Sequence, residues 1–350
     1  MSQNATGVRR MVVDLNAQAP AWRIPAAAQA AILAAAPPDW NVQILKSPTV
    51  SDGDGGSAPS AEALSAIADA EAYAGFGIQP ALFRAAPKLK WVHSAAAGVG
   101  AALFPEMLAS PVLLTNSAGV HAVPMAEYVI AGVLHFFRGL DVAVANQANA
   151  RWDRTLFVGE EPPVRELGGS RMLVVGTGGV GSAVAERATA LGMVCTGVRR
   201  RPDQGAPPGF KAVSGLDALN RLLPEADVVV LAAPLTAETG SLLNASRLSL
   251  LPSHAVVVNV GRGALLDEAA LVERLDAGRL RGAVLDVFGV EPLPADSPLW
   301  GNARVLLTPH VSAVSPERFW ERELALVLGN WQRYREGSPL MNLVDKQAGY

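Results

Sequence analysis

Three polar residues in the last third of the chain each stand just beyond an apolar run that reads as a buried strand. Arg262 follows the run 254–260, Glu291 follows 282–287, and His310 follows 305–308. Singly they say little, since a lone arginine is ordinarily surface charge and a lone histidine a satisfied structural group. Gathered at the carboxyl ends of strands, where ligands lie in open α/β sheets, they could reduce a ketone. That chemistry needs a hydride donor, a proton donor that titrates near neutrality, and a fixed positive charge for a substrate carboxylate. Histidine titrates in that range, a neighbouring carboxylate favours its protonated form, and arginine offers two forked donors to a 2-oxo acid.

The hydride donor has its own signature. From Met172 the sequence runs MLVVGTGGVGSAVAERATALGMVCTGVRRR. Residues 172–175 suit one buried strand, Val184, Ala188 and Leu191 recur at helical spacing, and 193–198 reads as a second buried strand. Between the first strand and the helix lies Gly176-Thr177-Gly178-Gly179-Val180-Gly181, the G-x-G-x-x-G of a dinucleotide-binding unit. Gly176 permits the tight turn, Gly178 lets a pyrophosphate approach the backbone, and Gly181 lets helix and strand pack closely. The pyrophosphate then meets free N–H groups at the positive end of the helix dipole. An acidic residue about 20 positions on would hold the ribose 2′-hydroxyl of NAD. Arg199, Arg200 and Arg201 stand there instead. Guanidinium groups form forked, charge-assisted bonds to a 2′-phosphate, so the expected coenzyme is NADP, with NAD possible. A solvated basic loop is the plainer alternative. The pattern asks for no metal.

The elements that must position these groups alternate. Strands are expected at 11–15, 42–45, 72–75, 91–94 and 112–116, with helices at 25–36, 61–68 and 80–86 between them. Residues 51–60, SDGDGGSAPS, read as a loop. Such alternation implies a small parallel-sheet domain. Residues 95–100, AAAGVG, follow its fourth strand and could bare backbone N–H groups beside a ligand, or form a plain tight turn. A long apolar helix is expected at 124–139, suited to a domain link or a subunit interface. Beyond the glycine-rich unit, strands are expected at 210–213, 226–231, 254–260, 282–287 and 305–308, and helices at 216–223, 271–277 and 316–336. Ala233-Pro234 leaves the carboxyl end of the 226–231 run, and Val260-Gly261 that of the next. The Trp and Leu stripe of 316–336 is read as ordinary packing.

Composition bounds the rest. The 350 residues suit two domains, half of them apolar and 17% charged, which allows large cores. A net charge of -3 and a pI near 6.0 give no general attraction to nucleic acid or an anionic membrane. Cys195 is the one cysteine, which excludes an intrachain disulfide and fits a reducing cytoplasm. No secretory signal is read at the N-terminus, and no apolar run reaches the ~18 residues of a membrane span.

The chain resembles the D-isomer-specific 2-hydroxyacid dehydrogenases, densely from Val174 onward. The resemblance rests on VVGTGGVG (174–181), ADVVVLAAPLTAETGSLLN (226–244), VVNVGRGALLDEAAL (257–271), GAVLDVFGVEPLPADSPLW (282–300) and LLTPHVSAV (306–314), in that order. SAAAGVG and TNSAGVHAVPMAEYVIAGVL match the amino-terminal half more loosely. The resemblance implies two Rossmann-like α/β domains, one flavodoxin-like for substrate (1–117 with 318–350) and one for the dinucleotide (118–317), with a cleft between. It makes Arg262 the substrate-binding arginine, His310 the acid/base and Glu291 its partner. It puts Asp286 on the nicotinamide side, and the Ala97-Gly98 backbone on the substrate carboxylate. The coenzyme would be held by 176–181, Arg199–Arg201, Ala233, Pro234, Val260, Gly261, Arg262, Asp286 and His310. Relatives that move no proton, such as formate dehydrogenases, typically carry Gln at the glutamate position, so Glu291 implies a 2-oxo acid. Gly100 departs from the Asp that many relatives have. The arginine run and the ending NLVDKQAGY resemble the NADP-preferring glyoxylate/hydroxypyruvate reductase branch. A cytoplasmic homodimer held largely through 124–139 is implied, with specificity in loops around Phe76, Ala96 and Trp152. The same fold also serves nucleotide-sensing corepressors, the competing expectation.

Overall fold

A computed structural model describes residues 8–49, 58–160 and 162–349, so most of the loop expected at 51–60 lies outside the described residues. The chain divides into two compact units, Met1–His121 with Val314–Tyr350, and Ala122–Ala313.

The first unit holds five strands, β1 (Arg9–Asp14), β2 (Trp40–Ile44), β3 (Ala72–Gly75), β4 (Trp91–Ser94) and β5 (Leu113–Asn116). They pair in parallel in the order β2-β1-β3-β4-β5, the flavodoxin-like winding. A wholly parallel sheet needs cover on both faces, and part of that cover is the Phe319–Glu336 helix from the far end of the chain. Its apolar stripe packs as the spacing implies, with Trp331 edge-on to Trp40 at 5.5 Å. A buried polar clasp fastens it as well. Glu323 Oε1 lies 3.0 Å from His93 Nε2, and Ser117 Oγ donates to Glu323 Oε2 at 2.6 Å. None of the three side chains meets solvent, and burial is tolerated because each polar group is bonded.

The second unit holds seven strands: β6 (Arg171–Val175), β7 (Val194–Val198), β8 (Ala212–Ser214), β9 (Val228–Leu231), β10 (Val256–Asn259), β11 (Gly282–Leu285) and β12 (Val305–Leu307). All pairs are parallel in the order β12-β11-β10-β9-β6-β7-β8. That is the doubly wound dinucleotide-binding order with one strand added, and it reverses between β6 and β9. The valines of β9 and β10 are fully buried, each stabilising the fold by up to roughly 1.5–3 kcal/mol. The long helix, Ala122–Phe137, seats on this sheet through Gly132, where a Cβ would come within 2.7 Å of Val284 Cγ1.

Local departures from expectation have local causes. The helix expected at 216–223 is a 3-10 turn, one α turn (Leu219–Leu222) and a second 3-10 turn carrying Pro224, which lacks the N–H to extend an α-helix. Three short helices escaped the periodicity argument: Pro105–Ala109, Leu140–Ala148 and Ala245–Leu248. The last is started by Asn244, whose side chain accepts from the Arg247 N–H at 3.0 Å. Among the described residues, no single helix is long and apolar enough to cross a membrane.

Candidate active site

The glycine-rich turn leaves β6 at the point where the strand order reverses. Gly176 has φ +97°, left-handed backbone that glycine alone adopts freely, and its missing Cβ would lie 2.6 Å from the Ala232 carbonyl oxygen. The β6 and β9 turns therefore touch. Gly178 and Gly179 are exposed at the start of the Gly179–Ala190 helix, with Val180 half-buried behind them. A side chain at Gly178 would meet no protein atom within 4 Å, so packing does not demand glycine there. At Gly181 it would overlap the Gly176 carbonyl. The helix therefore presents its positive end to open space.

Arg199 directly follows β7 and turns back over this loop. Its Nε donates to the Arg201 carbonyl at 2.7 Å, its Nη2 to Gln204 Oε1 at 3.2 Å, and its Nη1 reaches Thr177 Oγ1 at 3.5 Å. Arg200 and Arg201 are exposed. Arg199 is held against the glycine-rich turn.

The β9 and β10 turns bring Ala233, Pro234, Val260 and Gly261 to the same sheet edge. Buried Asn259 shapes the second of them. Its Nδ2 donates to the Arg262 carbonyl at 3.0 Å, and its Oδ1 accepts from the Gly261 N–H at 3.1 Å. Arg262 is half-buried, and its Nη1 donates to the Gly261 carbonyl at 2.7 Å. A Cβ on the next residue, Gly263, would overlap the Phe288 carbonyl, so the arginine turn lies directly against the segment leading to Glu291.

His310 and Glu291 meet. His310 Nδ1 lies 2.8 Å from Glu291 Oε2, with side chains 31% and 36% exposed. Oε1 of the same carboxylate accepts from the Phe288 N–H at 2.9 Å, which fixes its second lobe. His310 itself has φ +53°, a conformation that disfavours an L residue by about 1–2 kcal/mol. It persists because its surroundings impose it.

Asp286 directly follows β11. It is 0% exposed, and its carboxylate faces inward. Oδ1 accepts from Thr308 Oγ1 at 2.6 Å and the Val311 N–H at 2.8 Å, and Oδ2 from the Ser312 N–H at 3.0 Å. Its carbonyl takes the His310 N–H at 2.9 Å. Three donors from one turn converge on its carboxylate and a fourth on its carbonyl. Sequence reasoning passed over Asn259, Thr308 and Tyr128, whose hydroxyl lies 2.7 Å from Thr308 Oγ1. The only signal was a polar residue inside or beside an apolar run.

Ala97 and Gly98 belong to the first unit, beyond β4. Ala97 is exposed, and its carbonyl accepts from Asn116 Nδ2 at 2.8 Å. Asn116 is braced in turn by Asn342, whose Nδ2 donates to its carbonyl at 3.1 Å.

Comparison with known proteins identifies the family. Residues 130–312 match the profile of the D-isomer specific 2-hydroxyacid dehydrogenase, NAD binding domain. A glyoxylate/hydroxypyruvate reductase A of Salmonella newport (strain SL254) is 33% identical over 282 residues, 77% of this chain and 85% of that protein. A D-isomer specific 2-hydroxyacid dehydrogenase from Xanthobacter autotrophicus Py2, solved with NADPH and MES, has a TM-score of 0.78 at 30% identity, covering 98% of this chain and all of that one. An NADPH-dependent glyoxylate/hydroxypyruvate reductase from Sinorhizobium meliloti, solved with NADP and sulfate, has a TM-score of 0.76 at 29% identity, with coverage of 98% and 100%. The chain belongs to the D-isomer specific 2-hydroxyacid dehydrogenase family.

Proposed function

We propose that the protein reduces a small 2-oxo acid of the glyoxylate or hydroxypyruvate kind to the D-2-hydroxy acid, using NADPH in preference to NADH. The observation that carries this is the His310–Glu291 pair, with Glu291 beyond β11 and His310 beyond β12 on the edge where a glycine-rich turn opens the sheet. The reductase names of the relatives favour turnover over nucleotide sensing.

The residues present suit a dinucleotide with a 2′-phosphate. The space beside Gly178 is open at the start of a 12-residue helix, whose free N–H groups suit a pyrophosphate. Arg199 lies at the end of β7 with its guanidinium over that turn. When bound, the coenzyme supplies the hydride. The chain supplies the rest. Imidazolium His310 holds the transferable proton on Nε2, while its Nδ1–H donates to Glu291 Oε2. Donation to the carbonyl oxygen leaves a neutral ring in the tautomer that Glu291 stabilises. Arg262 offers a forked pair of donors to the carboxylate and draws charge towards the carbonyl oxygen.

We place the enzyme in the cytoplasm as a homodimer. Ala122–Phe137 buries one face on its own unit, but Leu140–Ala148 and the following stretch show Leu140, Val144, Leu156 and Val158 to solvent, with Trp152 98% exposed. Large apolar side chains exposed along one segment suit an interaction surface, and a second copy is the proposed cover. Light scattering tests it; a monomer at micromolar concentration overturns it. For the reaction, NADPH oxidation is followed with glyoxylate, hydroxypyruvate and pyruvate. Failure to turn over any 2-oxo acid refutes the reading.

A further inference from the structure

His310 is held in its left-handed turn by Asp286, and the Asp286 contact through Thr308 ends on a side chain from another element. Tyr128, on the Ala122–Phe137 helix, places its hydroxyl 2.7 Å from Thr308 Oγ1, which lies 2.6 Å from Asp286 Oδ1. The direction of this relay follows from counting protons. Thr308 Oγ1 donates to Asp286 Oδ1, which uses the threonine's single hydroxyl proton. Tyr128 must then donate to Thr308. We infer that Tyr128 is a positioning residue for the proposed reaction, setting through Thr308 and Asp286 the turn that aims His310.

The tyrosine is built into place. Gly132 lies one turn further along the same helix face, and the close seat there against Val284 of β11 fixes the depth at which Tyr128 enters. Asp286 follows β11 directly, so one sheet edge locates both ends of the relay. The middle is equally fixed, because the His310 N–H donates to the Asp286 carbonyl at 2.9 Å and the Thr308 carbonyl at 3.0 Å. Burial pushes the Tyr128 hydroxyl up to about 12, helped by the Asp286 charge and opposed by its bond to Thr308. It keeps its proton, and the relay its direction, through the working range. Its hydroxyl reaches Thr308, and its proposed action on the chemistry is through His310.

The inference rests on His310 acting as acid/base, and the test separates the two. Tyr128→Phe removes one neutral hydrogen bond and should lower kcat about 3- to 10-fold; Thr308→Val strips a donor from a carboxylate and should lower it about 10- to 100-fold. Coenzyme Kd and the thermal midpoint should barely move in Tyr128→Phe. The His310 limb of the pH–rate profile should shift in both variants, because a slack turn loosens the imidazole from Glu291. Combining the substitutions should cost little more than Thr308→Val alone, since the tyrosine then has nothing to act through. Thr308→Ser should restore near-normal turnover, and it serves if Thr308→Val fails to fold. An unchanged kcat and pH profile in Tyr128→Phe overturns the inference, as does a multiplicative double variant. If the unmutated protein reduces no 2-oxo acid, the functional reading fails by itself. NMR titration of the His310 ring in Tyr128→Phe then still decides the positioning, an unshifted titration overturning it.

Discussion

Arg199→Asp is the most informative single substitution for coenzyme choice. The wild-type guanidinium is pre-oriented by Arg201, Gln204 and Thr177, so little rotamer freedom is lost when it meets a phosphate. One charge-assisted bond contributes about 1.5–3 kcal/mol, or roughly 10- to 150-fold in affinity. Arg199 is only half-buried, and solvent screening brings the expected preference for NADPH over NADH to about 10- to 100-fold. Aspartate should erase or reverse it, because a carboxylate repels the 2′-phosphate yet accepts from ribose hydroxyls. The hydrogen bonds that Arg199 makes within the protein are few and partly solvated, so the thermal midpoint should fall by no more than about 2–4 °C. The assay is kcat/KM for each coenzyme at two ionic strengths, with added salt weakening NADPH more than NADH. Equal values for the two coenzymes in the unmutated protein refute the reasoning, and Arg199 is then merely solvated charge.

Further outcomes are expected at the reacting groups and in the scaffold. His310→Ala should lower turnover by about 10²- to 10⁴-fold, the usual reach of general acid catalysis, with coenzyme affinity nearly unchanged; near-normal turnover removes His310 from the mechanism. Glu291→Gln should shift one limb of the pH–rate profile without abolishing activity; an unchanged profile counts against the pairing. Arg262→Ala should raise KM and lower kcat together, with lysine rescuing poorly for want of the fork; unaltered substrate kinetics would place the carboxylate elsewhere. Asp227 governs acid stability. Burial pushes its carboxyl up, but the Arg171 N–H, the Arg165 guanidinium and the His254 ring outweigh burial and hold it below the ordinary range. The stability it contributes is therefore complete above about pH 4 and lost as pH falls through the lowered folded value. The gap in thermal midpoint between wild type and Asp227→Asn should close on acidification, and a gap independent of pH excludes this role.

Much of the scaffold was legible because buried parallel strands are apolar on both faces and short. The runs ending before Gly176, Arg262 and His310 mark β6, β10 and β12 with no knowledge of their neighbours. The same logic found the glycine-rich turn, since a strand, three spaced glycines and a helix form a local pattern that needs no distant partner. Periodicity reports burial, however, and carries nothing about which element covers which. The returning helix is tied down by Glu323 meeting His93 across 230 residues, and Tyr128 reaches Thr308 across 180. Neither pairing leaves a trace in local spacing. Glu291 was matched to His310 by resemblance, and only the fold brings Nδ1 and Oε2 to 2.8 Å. Asp286 shows the limit most plainly. Resemblance put it on the nicotinamide side, and only the fold shows four donors of the turn at 308–312 gathered on its carboxylate and carbonyl. A carboxylate turns towards whichever donors lie nearest in space, and those distances are set by the register of β11 against β12 and the seat of one helix at Gly132.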